Sequence, residues 1–189
     1  MATETPDYMV VLTDGAFEIR DYPGLIIAEI QVDGSRDQAA NAAFSVLADY
    51  IFGKNVPAER IGMTAPVTQT QSSPTQGETI GMTAPVTQQG GNGSWTIGFI
   101  MPARYDRASL PTPVDTRIRI VSKPERRVAT VRFSGRPRDD LMSNRAEELR
   151  SWVADRGLTP RSAPVYAYYN SPFTPGFLRR NEVQMEIAR

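Results

Sequence analysis

The chain has 189 residues, 40% of them apolar, enough to bury a substantial core without covalent staples. Its 21 Lys and Arg balance 21 Asp and Glu, so the formal net charge is zero and offers no general attraction for nucleic acid or an anionic membrane. Cysteine and histidine are both absent, which excludes disulfides, thiolate nucleophiles, zinc–thiolate and iron–sulfur centres, a Ser-His-Asp triad and a proximal histidine for haem.

Residues 1–7 carry acids and no apolar stretch, so no signal peptide is read there. No apolar run reaches membrane-spanning length, and the expected address is cytoplasmic. Tyr8 to Leu12 and Phe17 to Arg20 read as strands of a hairpin turning at Asp14-Gly15. Past Pro23-Gly24, Ile26, Ala28, Ile30 and Val32 share one face of a third strand. Ser35 and Gln38 have capping-box spacing. The helix they open carries Ala40, Ala43, Phe44, Leu47 and Ile51 at steps of three and four, and Gly53 ends it.

The middle holds a repeat. Ile61 to Gln69 recurs letter for letter as Ile80 to Gln88, an offset of 19 residues. Two strands joined by a mobile polar loop is the simplest expectation, with the prolines placing each copy at a sheet edge or a bend. Trp95 to Met101 reads as a strand. The second half repeats the plan. Ile118 and Ile120, a turn near Pro124-Glu125, then Ala129, Val131 and Phe133 suggest another hairpin. A second helix is predicted from Asp139 to Arg156, with Met142, Ala146, Leu149 and Val153 as its apolar stripe. Strands around Val165–Tyr169 and Val183–Ile187 follow. The expected fold is a single α+β domain spanning 1–189, with pseudo-repeated halves at about 8–105 and 116–188 sharing an antiparallel, partly closed barrel.

Four segments carry a family resemblance. They are Phe17-Glu18-Ile19-Arg20-Asp21-Tyr22-Pro23, Tyr50-Ile51-Phe52-Gly53 with Asn55, the doubled Met-Thr-Ala-Pro-Val, and Arg179-Arg180-Asn181-Glu182-Val183. From about Tyr8 to Ile187 the chain resembles the SOUL haem-binding family. The resemblance implies a distorted β-barrel of two pseudo-repeated halves, each with one helix. It also implies haem or another tetrapyrrole as ligand, in an apolar groove beside the first helix. The groove positions would be Phe44, Leu47, Ala48 and Ile51, with Phe173, Thr174, Pro175 and Phe177 approaching from the other side. Some members ligate the iron through histidine, which this chain lacks. Others use basic residues near the propionates, where Asp49 and Thr174 stand here.

Each candidate has a plainer reading beside it. Met63 and Met82 offer thioether sulfur to iron or a porphyrin face, or serve as core residues at strand starts. Phe44, Leu47 and Ile51 suit a groove, or simply pack a helix on a sheet. Arg179 and Arg180 suit ligand carboxylates, or an ion pair with Glu182. Among Tyr166, Tyr168 and Tyr169, one is a candidate phenolate or pocket wall, and strand formation is the simpler account of them. The expected function is a haem buffer or carrier, not an enzyme, binding without a histidine ligand. The alternatives are a GyrI-like small-molecule-binding domain or hydrolase, using Glu182 and Tyr168 as acid and base, and a protein-interaction module.

Overall fold

Local sequence sets each element before packing assembles them. Ser35 accepts a hydrogen bond from the Gln38 amide at 3.4 Å, and the Gln38 side chain accepts from the Ser35 amide at 3.2 Å, closing the expected capping box. Such a cap is worth about 1 kcal/mol. The helix it opens ends ahead of Gly53, whose φ of 112° suits only glycine. Asn55 then clamps that end. Its amide donates to the Tyr50 and Glu78 carbonyls at 2.8 and 2.7 Å, and its oxygen accepts from the Glu78 amide at 2.9 Å.

The computed structural model describes residues 4–58, 77–171 and 173–189. The first copy of the repeat, with Met63, and residues 71–76 of the loop expected at 71–79 lie outside them. In chain order the elements are β1 (Met9–Asp14), β2 (Phe17–Tyr22), β3 (Leu25–Asp33), α1 (Arg36–Ile51), β4 (Asn55–Val56), β5 (Val86–Gly91) and β6 (Ser94–Ile100). Then come β7 (Thr112–Pro113), β8 (Arg119–Lys123), β9 (Arg126–Phe133), α2 (Asp139–Asp155), β10 (Val165–Tyr168) and β11 (Asn181–Ile187).

Nine strands form one strongly curled antiparallel sheet, ordered β1-β2-β9-β11-β10-β5-β6-β3-β8. The protein is therefore α+β with a distorted half-barrel, as expected. Without the edge strand β1, the order reads the same when β2, β9, β11 and β10 are exchanged for β8, β3, β6 and β5. The hairpin expected at Asp14-Gly15 forms as β1 and β2, but the one expected at Pro124-Glu125 does not: β8 pairs with β3, and on its other edge β2 pairs with β9. The leading strand of each half thus completes the sheet of the other. Pro23 and Pro124 stand at the two departures, where proline removes a ladder donor and keeps the preceding residue extended.

The second copy of the repeat is also not a strand throughout. Its ladder begins only at Val86. Pro85 has no amide to give, and the Thr83 hydroxyl and Ala84 amide bond outside the ladder, to the Ile100 and Glu4 carbonyls.

Strand alternation divides the sheet into two unlike faces. One packs on the helices. Ala39, Ala43 and Leu47 of α1 meet Ala28, Ile30, Ile97 and Phe99. Met142, Ala146, Leu149 and Val153 of α2 meet Ala129, Val131, Val183 and Met185. The other face lines the inside of the curl, and much of it is polar. Glu182 is fully buried there. Its carboxylate accepts from Arg20 at 2.8 and 3.1 Å, Arg180 at 3.0 and 2.7 Å, the Tyr169 hydroxyl at 2.8 Å and Gln184 at 2.9 Å. Arg20 is buried as well, donates to Glu18 at 2.6 Å, and lies 4.3 Å from the centre of the Tyr8 ring.

Burial alone would raise the Glu182 pKa, but the hydrogen bonds and charges of Arg20 and Arg180 outweigh it and hold the carboxyl below its ordinary range. The folded value lies under the unfolded one. The stabilisation is therefore complete above about pH 4.3, the unfolded glutamate value, and is lost as pH falls through the folded value. Glu182→Gln is expected to cost about 3–5 kcal/mol in urea unfolding, because it leaves buried arginine charge uncompensated. The same variant flattens the acid limb of the stability–pH curve; an unchanged acid limb would remove Glu182 as its source.

A cleft between the helix N-termini

The N-termini of α1 and α2 converge, and one side chain ties them. Arg36 in the first turn of α1 is buried. It donates to Asp139 in the first turn of α2 at 2.5 Å, to the Tyr168 hydroxyl at 2.8 Å and to the Pro137 carbonyl at 2.5 Å. The Tyr168 hydroxyl donates on to Gln88 at 3.0 Å, and the Gln88 amide returns to the Arg36 carbonyl at 2.8 Å. A cation at a helix N-terminus opposes the helix dipole. Asp37 at 3.2 Å and Asp139 answer it here.

Beside this knot lies an open cleft of ≈ 790 Å³. Its apolar part comes from Ala40 and Phe44 of α1, Val86 and Ile97 of the sheet, and Pro137. Phe44 is half-exposed, with its ring edge-on to Phe99 at 5.4 Å between centroids. The polar part holds Arg36, Arg136, Arg138 and Arg179, with Asp37, Asp139 and the amides of Asn41, Asn170 and Asn181. Arg179 donates to the Thr174 carbonyl at 2.7 Å, and the Gly135 amide to the Gly176 carbonyl at 2.9 Å. These bonds fix the 173–178 segment against the cleft rim.

Burial pushes the Tyr168 phenol up to about 12, against the opposing charge and hydrogen bond of Arg36. It is a neutral donor near pH 7, not a phenolate.

The expected site residues separate. Phe44 and Arg179 line the cleft. Leu47 and Ile51 are fully buried under α1 and do not reach it, while Ala48 is half-buried outside its lining. Met82 is half-exposed and away from the cleft, so it is neither a core residue nor a wall of this site. Phe173 and Phe177 project into solvent, on the segment that the rim holds. Asp49, expected near a propionate, pairs instead with Lys54 at 2.7 Å. Arg180 takes the plainer reading and pairs with Glu182.

The expected acid–base pair does not form, because Glu182 faces the inside of the curl and Tyr168 faces the helices; Tyr169 is the tyrosine that bonds Glu182. Sequence reasoning missed Arg36, Arg136 and Arg138. A basic residue directly after the Ser35 cap was the available signal, since helix starts favour acids.

The class of architecture is an α+β half-barrel, here with a part-apolar cleft lined by arginines. The chain belongs to the SOUL haem-binding protein family, whose model matches residues 3–186. Among solved structures it is similar to the EcmrR C-terminal domain, at 13% identity and a TM-score of 0.62, covering 96% of this chain and 98% of that one. It is also similar to an uncharacterised conserved protein from Listeria innocua, at 9% identity and a TM-score of 0.52, covering 98% and 93%. These likenesses show the fold. No curated protein matches the sequence. Among the described residues no helix is long and apolar enough to cross a membrane, and no three acidic side chains are grouped to hold a metal ion.

Arg36→Met is expected to lower stability by about 2–3 kcal/mol, because a charged donor leaves the Pro137 carbonyl and Tyr168. Tyr168→Phe is expected to cost only about 1 kcal/mol. Equal losses in thermal unfolding would show that the knot does not depend on the charge.

Proposed function

We propose that the cleft binds a tetrapyrrole, with haem the leading ligand, and that the protein serves as a cytoplasmic haem buffer or carrier. One observation carries this reading: a half-exposed aromatic, Phe44, shares one cleft with further apolar side chains and four arginines. A porphyrin presents the same two halves, an apolar disc and two carboxylates. Its disc would lie on Phe44, Ala40, Val86 and Ile97, where burial is worth about 25 cal/mol per Å². Its propionates would meet Arg136, Arg138 and Arg179, whose guanidinium forks suit carboxylates.

The lining fits the ring and its acids better than it fits an iron centre. The chain has no histidine, no methionine among the described residues lines the cleft, and Tyr168 stays protonated. What haem would bring is its iron; what the chain supplies is ring burial and charge. Binding should therefore be nearly blind to the metal. The enzymatic alternative has less support, since all six donor contacts on Glu182 come from the protein's own side chains.

Titration of the protein with hemin and with metal-free protoporphyrin, followed by absorbance and tryptophan fluorescence, tests the reading. Both are expected to saturate one to one at micromolar affinity or better. Phe44→Asp should weaken both about tenfold or more, which corresponds to about 1.4 kcal/mol. Arg136→Gln with Arg138→Gln should weaken protoporphyrin but leave its dimethyl ester unaffected. If neither porphyrin saturates, the tetrapyrrole reading fails.

A further inference from the structure

The face of the sheet turned away from the helices holds a second cavity, of ≈ 170 Å³, that shares no lining residue with the cleft. The two are separated by the thickness of β5 and β6. Val86, Gln88 and Ile97 face the cleft, while Thr87, Gln89, Thr96 and Gly98 face the cavity. At about 30 Å³ per liquid water, the cavity has room for about six.

Arg126 lines this cavity, and its Nη1 is buried without a hydrogen-bond partner among the described residues. An unpaired buried guanidinium nitrogen is costly and rarely kept. Its other neighbours do not satisfy it. The Tyr22 ring lies 5.4 Å away and offers only its face. Every charged group of the cavity wall bears on what would. Lys123 makes no ion pair with any described residue, Glu29 is held by Arg119 at 3.1 Å, and Glu186 acts on Arg126 through charge without a hydrogen bond. After the Glu29–Arg119 pair is set aside, two cations face one carboxylate. Burial draws the Arg126 pKa down, whereas the paired Arg20, Arg36 and Arg180 are drawn up, which agrees with a guanidinium lacking its counter-charge.

We propose that this cavity is a second binding site, for a small carboxylate that also carries a hydroxyl or amino donor. The ligand's carboxylate sits between Arg126 and Lys123, and its donor group reaches Glu186. The site is independent of the porphyrin cleft, because alternate residues of the same two strands serve the two.

Thermal unfolding at fixed ionic strength with L-lactate, L-serine and neutral lactamide tests this. Lactate and serine are expected to raise the melting temperature saturably with millimolar midpoints, and lactamide to leave it unmoved. Without ligand, Arg126→Met should melt no lower than the parent, since it removes a guanidinium nitrogen buried without a hydrogen-bond partner among the described residues, and it should abolish the response. Lys123→Met, at a strand end, should raise the midpoint at least fivefold and provides the test should Arg126→Met not fold. Phe44→Asp, which alters only the cleft, should respond as the parent does. No saturable response, a response to lactamide equal to that of lactate, or an unaltered response in Arg126→Met or Lys123→Met would overturn the proposal.

Discussion

A carboxylate with no access to water governs the inside of this fold. Glu182 survives there because β2 brings Arg20 and the segment entering β11 brings Arg180, while Tyr169 and Gln184 complete its shell. Such a cluster is weak evidence of net stability, since well-packed apolar side chains of the same volume often do as well. It is stronger evidence of register. β11 carries Glu182 and Gln184 inward and Val183 and Met185 toward α2. A slip of one residue would drive the carboxylate into the apolar core and the valine into the polar lumen. Arg20 reaches Glu182 across the intervening β9, so one ion pair holds three strands in phase.

That fixed phase gives the sheet two chemically different sides. On the helix side, small residues such as Ala39, Ala43 and Ala146 let α1 and α2 lie close to the sheet, and the N-termini of the helices draw together at Arg36. On the inner side the same strands present Thr, Gln, Glu and Arg. The proposed porphyrin site and the proposed small-carboxylate site are thus products of a single alternation, one residue out of step.

Much of this was legible in the residues. The Ser35 capping box, both helix stripes and the alternation in β3, β9 and β11 are local patterns, and local patterns survive assembly. Pairing partners were not local. Nothing in Pro23-Gly24 or Pro124-Glu125 says that β2 and β8 exchange sides, because that choice is made by which half-sheet lacks a strand. Which of the expected groove residues line the cleft was not local either. Phe44, Leu47 and Ile51 form one apolar stripe, and periodicity cannot tell where the sheet stops covering it. Helix rotation places Leu47 and Ile51 beneath α1 and leaves Phe44 at the margin. Arg136 and Arg138 acquire meaning only when the loop that bears them meets α1.

The margin is where the proposed haem function has its physical basis. A histidine–iron bond would hold the ligand through one strong, metal-specific contact. In the proposed site, a floor centred on Phe44 and a rim of arginines would hold it through area and charge, which are spread over the whole ring. Arginine–propionate pairs at an open rim are screened by salt and weak individually. Ring burial is insensitive to what the ring chelates. Together they favour a ligand that is held reversibly and released without breaking a coordination bond, which is what a buffer or carrier requires and a haem enzyme does not.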